Sequence, residues 1–165
     1  IYSLWEGTNF IQSQDFTGRK FTMKKGEPFA KWLGQIADYI TNEKTADFAA
    51  EFDLMAEAFA AFREIVDMTN GWRGEQQRLV QLFATRTMHA GAMILGGKLI
   101  LSQGVLAAKK LAELGEGHFD ANFYKSKMAT AKFFVMNVVP NIFGILKAMK
   151  LADTSSIDLA EECYM

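Results

Sequence analysis

The sequence is poor in cysteine, histidine and proline, and these shortages exclude several classes of protein. A single cysteine, Cys163, rules out an internal disulfide, and such sparing use is typical of a reducing compartment. The two histidines, His89 and His118, belong to no Glu-x-x-His pair, so a di-iron carboxylate bundle is not expected. No cysteine–histidine cluster of the zinc-binding kind is present. We therefore predict no metal site.

Charge of one sign is not in excess either. The 165 residues include 18 basic and 19 acidic side chains, for a net charge of -1. A nucleic-acid-binding protein normally has a basic excess or stripe, so we expect no nucleic-acid partner. Four cations are spaced over more than one face of a helix, which indicates a solvated surface rather than a phosphate-binding stripe: Arg73, Arg78, Arg86 and Lys98.

The chain begins at Ile1 rather than at methionine, and its first residues, IYSLW, include no basic targeting segment. We interpret the chain as a piece, a processed product or a trimmed form of a longer protein. A function that is spread over the longer protein would then be present only in part.

Hydrophobic residues recur at three- and four-residue spacing along most of the chain, and no alternating run of strand type occurs, which together predict helices. Thr8 is suited to cap the first helix, and Pro28 and Pro140 to begin two later ones. We predict an all-α antiparallel bundle of five or six helices. The expected ranges are 8–21, 28–40, 46–69, 72–114, 121–138 with Asp120 as its cap, and 140–151.

The middle of the longest predicted helix, residues 88–101, is almost entirely apolar. About 14 residues are too few to cross a bilayer, which needs roughly 20, so we expect a buried helix. His89 is then expected to be a core histidine rather than a ligand. Ala92 and Gly96 offer a small-residue face for close approach of a helix, within the chain or across a dimer, and Gly96-Gly97 is a place where the helix could bend.

The residues with the best claim to chemistry lie near the beginning. Glu6 stands between Trp5 and Gly7, and a carboxylate beside bulky apolar groups can have the raised pKa of a general base. Gly7 lets the backbone approach a flat ligand, and amides that follow Thr8 at a helix start can face an anionic pyrophosphate. The same pattern is also that of an ordinary helix start.

Residues 1–12, IYSLWEGTNFIQ, resemble the acyl-CoA dehydrogenase stretch I-Y-E-G-T-N-x-I-Q. Residues 15–20, DFTGRK, resemble the D-x-x-G-R-K that follows in one subgroup. From about Gly26 onward the chain resembles the additional C-terminal helical domain of that subgroup, with supporting pieces at 84–90 and 123–131. The chain is thus identified as resembling the C-terminal part of such an enzyme.

The resemblance implies a flavoprotein of fatty acid metabolism, an oxidoreductase that dehydrogenates an acyl-CoA thioester between Cα and Cβ. Glu6 would abstract the α-proton, and Gly7 and Thr8 would lie beside FAD. Two departures occur: Trp5 replaces the commoner Tyr or Phe, and Phe10 stands where several relatives have a polar residue that can reach the flavin. We expect the piece alone to be inactive, because most contacts to acyl group, CoA and flavin lie outside it.

The resemblance also implies an organisation and a set of partners. Residues 1–25 would be the last part of the catalytic C-terminal helical domain, 26–151 an additional helical bundle, and 152–165 an irregular tail. The expected partners are acyl-CoA, electron-transfer flavoprotein and a second copy in a homodimer. The expected location is the cytoplasm, or the mitochondrial matrix in a eukaryote.

Two alternatives remain open for the bundle. It could be a structural module without chemistry that serves dimerisation or covers the core enzyme. It could also bind a membrane, as the C-terminal extension does in some long-chain relatives. We consider a membrane role less favoured because the sequence shows no strongly basic amphipathic face.

Overall fold

The structure, a computed structural model, describes residues 8–164, and in this range it has six α-helices and no β-strand. The predicted all-α class is therefore confirmed. The helices are joined by short turns, a π-helical segment at Phe16–Lys20 and 3₁₀ turns at Met23–Gly26 and Ala46–Phe48. The α-helices are α1 (Asn9–Asp15), α2 (Glu27–Asn42), α3 (Ala49–Gly71), α4 (Gln77–Leu114), α5 (Ala121–Asn137) and α6 (Asn141–Leu151).

The first two helices begin where the sequence predicts. Thr8 has an extended backbone, and its side-chain oxygen accepts a hydrogen bond from the amide of Ile11, which makes it the N-cap of α1. Pro28 lies in the first turn of α2, where its missing amide hydrogen leaves no partner unsatisfied. Before α2 the chain turns through left-handed conformations at Lys24, Lys25 and Gly26.

One predicted helix start and one predicted side-chain cap are wrong. The long helix begins at Gln77 instead of near Trp72, because the intervening turn contains Gly74 at φ 87°, a conformation that cannot continue an α-helix. Asp120 precedes α5 but makes no side-chain capping bond. Its own amide instead donates to Nδ1 of His118 at 3.2 Å, within the short turn that joins α4 and α5.

The core is built around α3, which contributes side chains that are almost fully buried, and α2, α4, α5, α6 and the segments between the helices add the rest. Such burial of large apolar side chains is the main source of stability in a helical bundle. The buried apolar residues of α3 are Phe52, Met55, Ala58, Phe59, Ala61, Phe62, Ile65 and Val66.

Glycines in α4 permit close approach of its neighbours. A Cβ on Gly97 would lie 2.6 Å from the sulfur of Met55, and one on Gly96 would lie 3.1 Å from the ring of Phe134. The predicted small-residue contact at Gly96 is therefore made within the chain. α4 continues without interruption through Gly96-Gly97, so these glycines serve packing and do not break the helix.

The expectation that the middle of α4 is buried is only half right. Ile94 and Leu101 are fully buried, whereas Leu95 and Leu99 are 40% and 46% exposed on the outward side of the helix. His89 is exposed as well, so its interpretation as a core histidine is wrong. Periodicity identifies the helix but does not determine how many of its sides other elements cover.

Candidate functional site

The proposed base and one of the two flavin-contact residues, Glu6 and Gly7, lie outside the described residues. Thr8 is the first residue of the motif that the structure describes, and it is exposed at the start of α1. Its Oγ1 accepts from the Ile11 amide at 3.4 Å, and its carbonyl accepts from the Gln12 amide at 3.1 Å. An accepting hydroxyl keeps its own hydrogen for donation, so Thr8 can cap the helix and still donate to a cofactor. This residue therefore fits a flavin contact.

The inner side of α1 is polar where it meets α4. Ser13 is fully buried, and its hydroxyl donates to the carbonyl of Phe10 at 2.8 Å. The same oxygen lies 3.2 Å from the hydroxyl oxygen of Thr85 on α4. One turn later the buried hydroxyl of Thr17 donates to the carbonyl of Ser13 at 2.8 Å. The pair of hydroxyl groups of Ser13 and Thr85 thus connects α1 to α4.

Arg73 makes a second connection, from the turn after α3. One of its Nη atoms donates to the carbonyl of Thr17, and its Nε donates to the side-chain oxygen of Asn70 at 3.1 Å. Partial burial lowers the pKa of the Arg73 guanidinium. Thr17 belongs to the π-helical segment, whose wider turns alter the pairing of backbone carbonyls relative to an α-helix. Arg73 supplies a donor to one of those carbonyls.

The outer side of α1 is apolar and exposed. Phe10 and Ile11 are 53% and 60% exposed. The inner side of the short helix is taken by Ser13, which leaves these two side chains facing outward. Phe10 borders a groove of about 340 Å³ together with Arg78, Gln81, Leu82, Thr85 and Ile157.

A second exposed apolar area, here called the outer face, lies on α4 and α5. Leu106 is 58% exposed and borders a shallow groove with Phe123 and Lys127. Large exposed apolar patches of this kind often mark interaction sites. The outer face comprises Leu95, Leu99, Leu106, Phe123 and Phe133.

By length and composition, two helical stretches in the described range could cross a membrane, namely Gln77–Leu114 and Ala121–Leu151. The core helix of a soluble protein can pass the same test, and 44% of the relevant window of the first stretch is buried inside the bundle. The second stretch is interrupted by a turn before Asn141. Length and composition therefore do not place either stretch in a membrane.

Each of the four cations of the predicted solvated surface faces a different neighbour. They therefore do not form a phosphate-binding stripe. Arg78 pairs with Asp158 at 3.0 Å, Arg86 lies 5.2 Å above the ring of Phe83, and Lys98 lies 5.2 Å above the ring of Tyr39, while Arg73 is engaged at Thr17. Among the residues described, no group of three or more His, Cys, Asp or Glu side chains could hold a metal ion.

The contact between Ser13 and Thr85 was not predicted from the sequence, and Arg73 was expected on a solvated surface rather than at Thr17. Ser13 and Thr17 are four residues apart, which places both on one side of a helix, and this spacing was the available signal. Their partner Thr85 lies 72 positions from Ser13. No local pattern could have paired them.

Comparison with known proteins bears on most of the chain. Residues 32–160 match the family described as Acetyl-CoA dehydrogenase C-terminal like. The chain is 67% and 63% identical, over 165 residues, to two butyryl-CoA dehydrogenases of Syntrophomonas wolfei subsp. wolfei (strain DSM 2245B / Goettingen). It is 28% identical, over 172 residues, to a broad-specificity linear acyl-CoA dehydrogenase of Mycobacterium tuberculosis (strain ATCC 25618 / H37Rv).

These alignments cover nearly all of this chain but little of its relatives. They include 100% of the chain for both Syntrophomonas proteins and 99% for the Mycobacterium protein. The chain spans only 27% of each Syntrophomonas protein and 28% of the Mycobacterium protein. It therefore corresponds to about a quarter of an enzyme of that length.

Proposed function

Because the chain belongs to the acyl-CoA dehydrogenase family, we propose that it forms the C-terminal part of an FAD-dependent enzyme that dehydrogenates an acyl-CoA thioester between Cα and Cβ. The observation that carries this proposal is the cap at Thr8. It begins a helix immediately after Glu6-Gly7, in register with the motif of the family.

In the proposed reaction the Glu6 carboxylate removes the α-proton of the thioester and holds it on a carboxyl oxygen. Gly7 and Thr8 would contact the cofactor, with the Thr8 hydroxyl available as a donor. FAD, when bound, supplies the acceptor for the β-hydride. The substrate class most strongly suggested by the 67% identical relative is a short linear acyl-CoA, with butyryl-CoA as the first compound to test.

The division of the chain follows from this function. Residues 1–25 would complete the catalytic helical domain, 26–151 would form an additional bundle, and 152–165 a tail. The whole enzyme would act as a homodimer, pass electrons to electron-transfer flavoprotein and work in the cytoplasm or the mitochondrial matrix. The 165 residues alone would bind little flavin and would not turn over.

The decisive experiment replaces Glu6 in the full-length enzyme. Glu6→Gln should lower turnover of butyryl-CoA by about 10²- to 10⁴-fold, the usual contribution of a general base, while bound flavin measured by absorbance stays unchanged. Glu27→Gln, at the start of α2, is the matched control and should turn over normally. Undiminished turnover in Glu6→Gln would sink the assignment.

A second candidate function is favoured by the outer face. In this alternative the bundle serves assembly, and the exposed leucines of α4 meet a second copy of the chain or cover the core enzyme. Light scattering on the 165-residue chain tests the first possibility, with Leu99→Lys expected to shift a dimer towards monomer. A clean monomer at high concentration would count against dimerisation through the bundle alone.

A further inference from the structure

We propose that Thr85 and Arg73, both in the part of the chain that resembles an additional domain, are positioning residues for the proposed catalytic base. They hold α1 and the π-helical segment against α4 and α3, and thereby fix the N-cap of α1, Thr8, which lies two residues after Glu6. This inference rests on the proposed function, because it concerns the same Glu6. It gives the bundle an indirect role in catalysis, through the placement of Glu6.

The first support is the contact between Ser13 and Thr85. Ser13 is fully buried, and its oxygen has two neighbours, the carbonyl of Phe10 at 2.8 Å and the hydroxyl of Thr85 at 3.2 Å. Its hydrogen is used on the carbonyl, so Thr85 can serve as the donor to Ser13. A directional bond of this kind specifies the rotation and the height of α1 on α4, which apolar packing alone specifies less sharply.

The second support is the contact between Arg73 and Thr17. The guanidinium donates to a main-chain carbonyl, so its hold on the segment does not depend on the orientation of the Thr17 side chain. Nε of the same guanidinium is bonded to Asn70 at the end of α3, which restricts the Arg73 side chain. Thr85 holds Ser13 and Arg73 holds Thr17, so this part of the chain has two polar attachments four residues apart. Two attachment points fix the direction of a helix better than one.

The effect can reach Glu6 because the distance is short. α1 continues from Ser13 back to its cap at Thr8, whose side chain and carbonyl are both bonded within the first turn. Two residues of chain span at most about 7 Å, so a displacement of Thr8 also displaces the base. A misplacement of about 1 Å at a reacting group can cost up to a hundredfold in rate.

The test uses the full-length holoenzyme with Thr85→Val, which keeps the shape and removes the hydroxyl, and Thr85→Ser, which restores it. Thr85→Val should lower kcat about ten- to a hundredfold, change KM less, and shift the pH profile of kcat/KM, because the surroundings of Glu6 change. Thr85→Ser should recover most of the rate. Arg73→Met and Arg73→Lys form a parallel pair. Thr130→Val, which removes a hydroxyl bonded within its own helix, should have no effect.

A wild-type kcat and pH profile in Thr85→Val and Arg73→Met, with only a lower Tm, would overturn the proposal and leave these residues as merely structural. A second readout needs no activity. In the 165-residue chain, exchange of the Ile11 and Gln12 amide hydrogens should be faster in Thr85→Val than in Thr130→Val, and equal rates would contradict the proposal. Failure of the proposed function itself is distinguished by Glu6→Gln, which would then retain turnover whatever the Thr85 variants do.

Discussion

Gly104 on α4 faces Ala131 on α5 so closely that a Cβ added to Gly104 would lie 2.5 Å from the Cβ of Ala131. The ring of Phe48 is 3.0 Å from the same point, so the position is enclosed on two sides. Neither the Cβ of Ala131 nor the fully buried, rigid ring of Phe48 can move aside as the end of a flexible side chain can. The two helices therefore depend on the absence of a side chain at position 104.

Gly104→Ala should lower the free energy of unfolding by about 1–3 kcal/mol, because overpacking outweighs the better helix propensity of alanine. Gly34→Ala is the matched control within α2, where an added Cβ meets nothing within 4 Å, and should stabilise by about 0.5–1 kcal/mol. Urea unfolding followed by circular dichroism measures both. Equal and positive changes would show that α4 and α5 are not packed as described.

The core of α3 should be far less tolerant than the outer face. Phe62 is fully buried, and Phe62→Ala should lower the free energy of unfolding by about 3–5 kcal/mol through lost burial and the cavity left behind. Phe133 on α5 is 63% exposed, and Phe133→Ala should change the free energy of unfolding by no more than about 0.5 kcal/mol. Thermal unfolding of both variants is sufficient. A large loss in Phe133→Ala would show that this ring is buried, for example by self-association.

Tyr39 should make stability fall at alkaline pH. Burial and the nearby Glu43 carboxylate raise the pKa of Tyr39 to about 12, whereas in the unfolded chain a tyrosine ionises near pH 10. From pH 10 to 12 the unfolded chain has lost a proton that the folded protein still holds, so stability decreases as pH rises and levels off above. Urea unfolding at pH 9, 10 and 11 should show this decrease in the wild type. The decrease should be smaller in Tyr39→Phe.

The same variant should be more stable at neutral pH. Within the described part of the chain, the Tyr39 hydroxyl is buried without a hydrogen-bond partner, so its removal should raise the free energy of unfolding by about 1 kcal/mol. Tyr164→Phe, which removes a hydroxyl bonded to the Ser156 carbonyl at an exposed site, is the control and should have little effect. A destabilised Tyr39→Phe would mean that the hydroxyl has a partner, such as an ordered water.

Asp15 should titrate at a lower pH than an ordinary aspartate. A hydrogen bond from Arg19, with Nε 2.6 Å from Oδ1, and the charge of Arg19 together lower the pKa of Asp15. The depressed pKa contributes stability above the ordinary range of aspartate, and this contribution is lost as pH falls through the lowered value. NMR titration should show a higher pKa of Asp15 in Arg19→Gln than in wild type. Arg63→Gln, on α3, should leave it unchanged.

Local signals allowed much of the fold to be predicted. Thr8 and Pro28 act within one turn of their own helices, so their meaning is contained in the nearby sequence. The start of α4 was misplaced because Trp72 continues the apolar period although it belongs to a turn, where it packs on Phe83 with ring centroids 5.5 Å apart. The left-handed conformation of Gly74 prevents α4 from starting before Gln77. The sequence does not reveal this, because glycine adopts left-handed and helical conformations alike.

The candidate site, like the fold, was predicted from the sequence only in part. Glu6, Gly7 and Thr8 were recognised because they are consecutive and form a family motif, and the catalytic and flavin-contact functions given to all three stay predictions. The attachment of α1 was not predicted, because Ser13 meets Thr85 only when the chain has folded. Exposure of the outer face was missed for a related reason, since an apolar period does not reveal which sides of a helix other elements cover.

α4 has 38 residues and, at 1.5 Å per residue, is about 57 Å long, which exceeds any other element of the bundle. α3 contacts both halves of α4, with Phe62 near Gly91 and Met55 near Gly97, but the other neighbours differ. Phe16 approaches the first half at Gly91, whereas Phe134 of α5 approaches the second half at Gly96. Loosening of α5 would therefore expose one side of the second half of α4 without disturbing the first half. In native-state hydrogen exchange, α4 would divide into two cooperative units. The half on the side of α1 and its cap Thr8 would persist while the distant end of the bundle opens and closes.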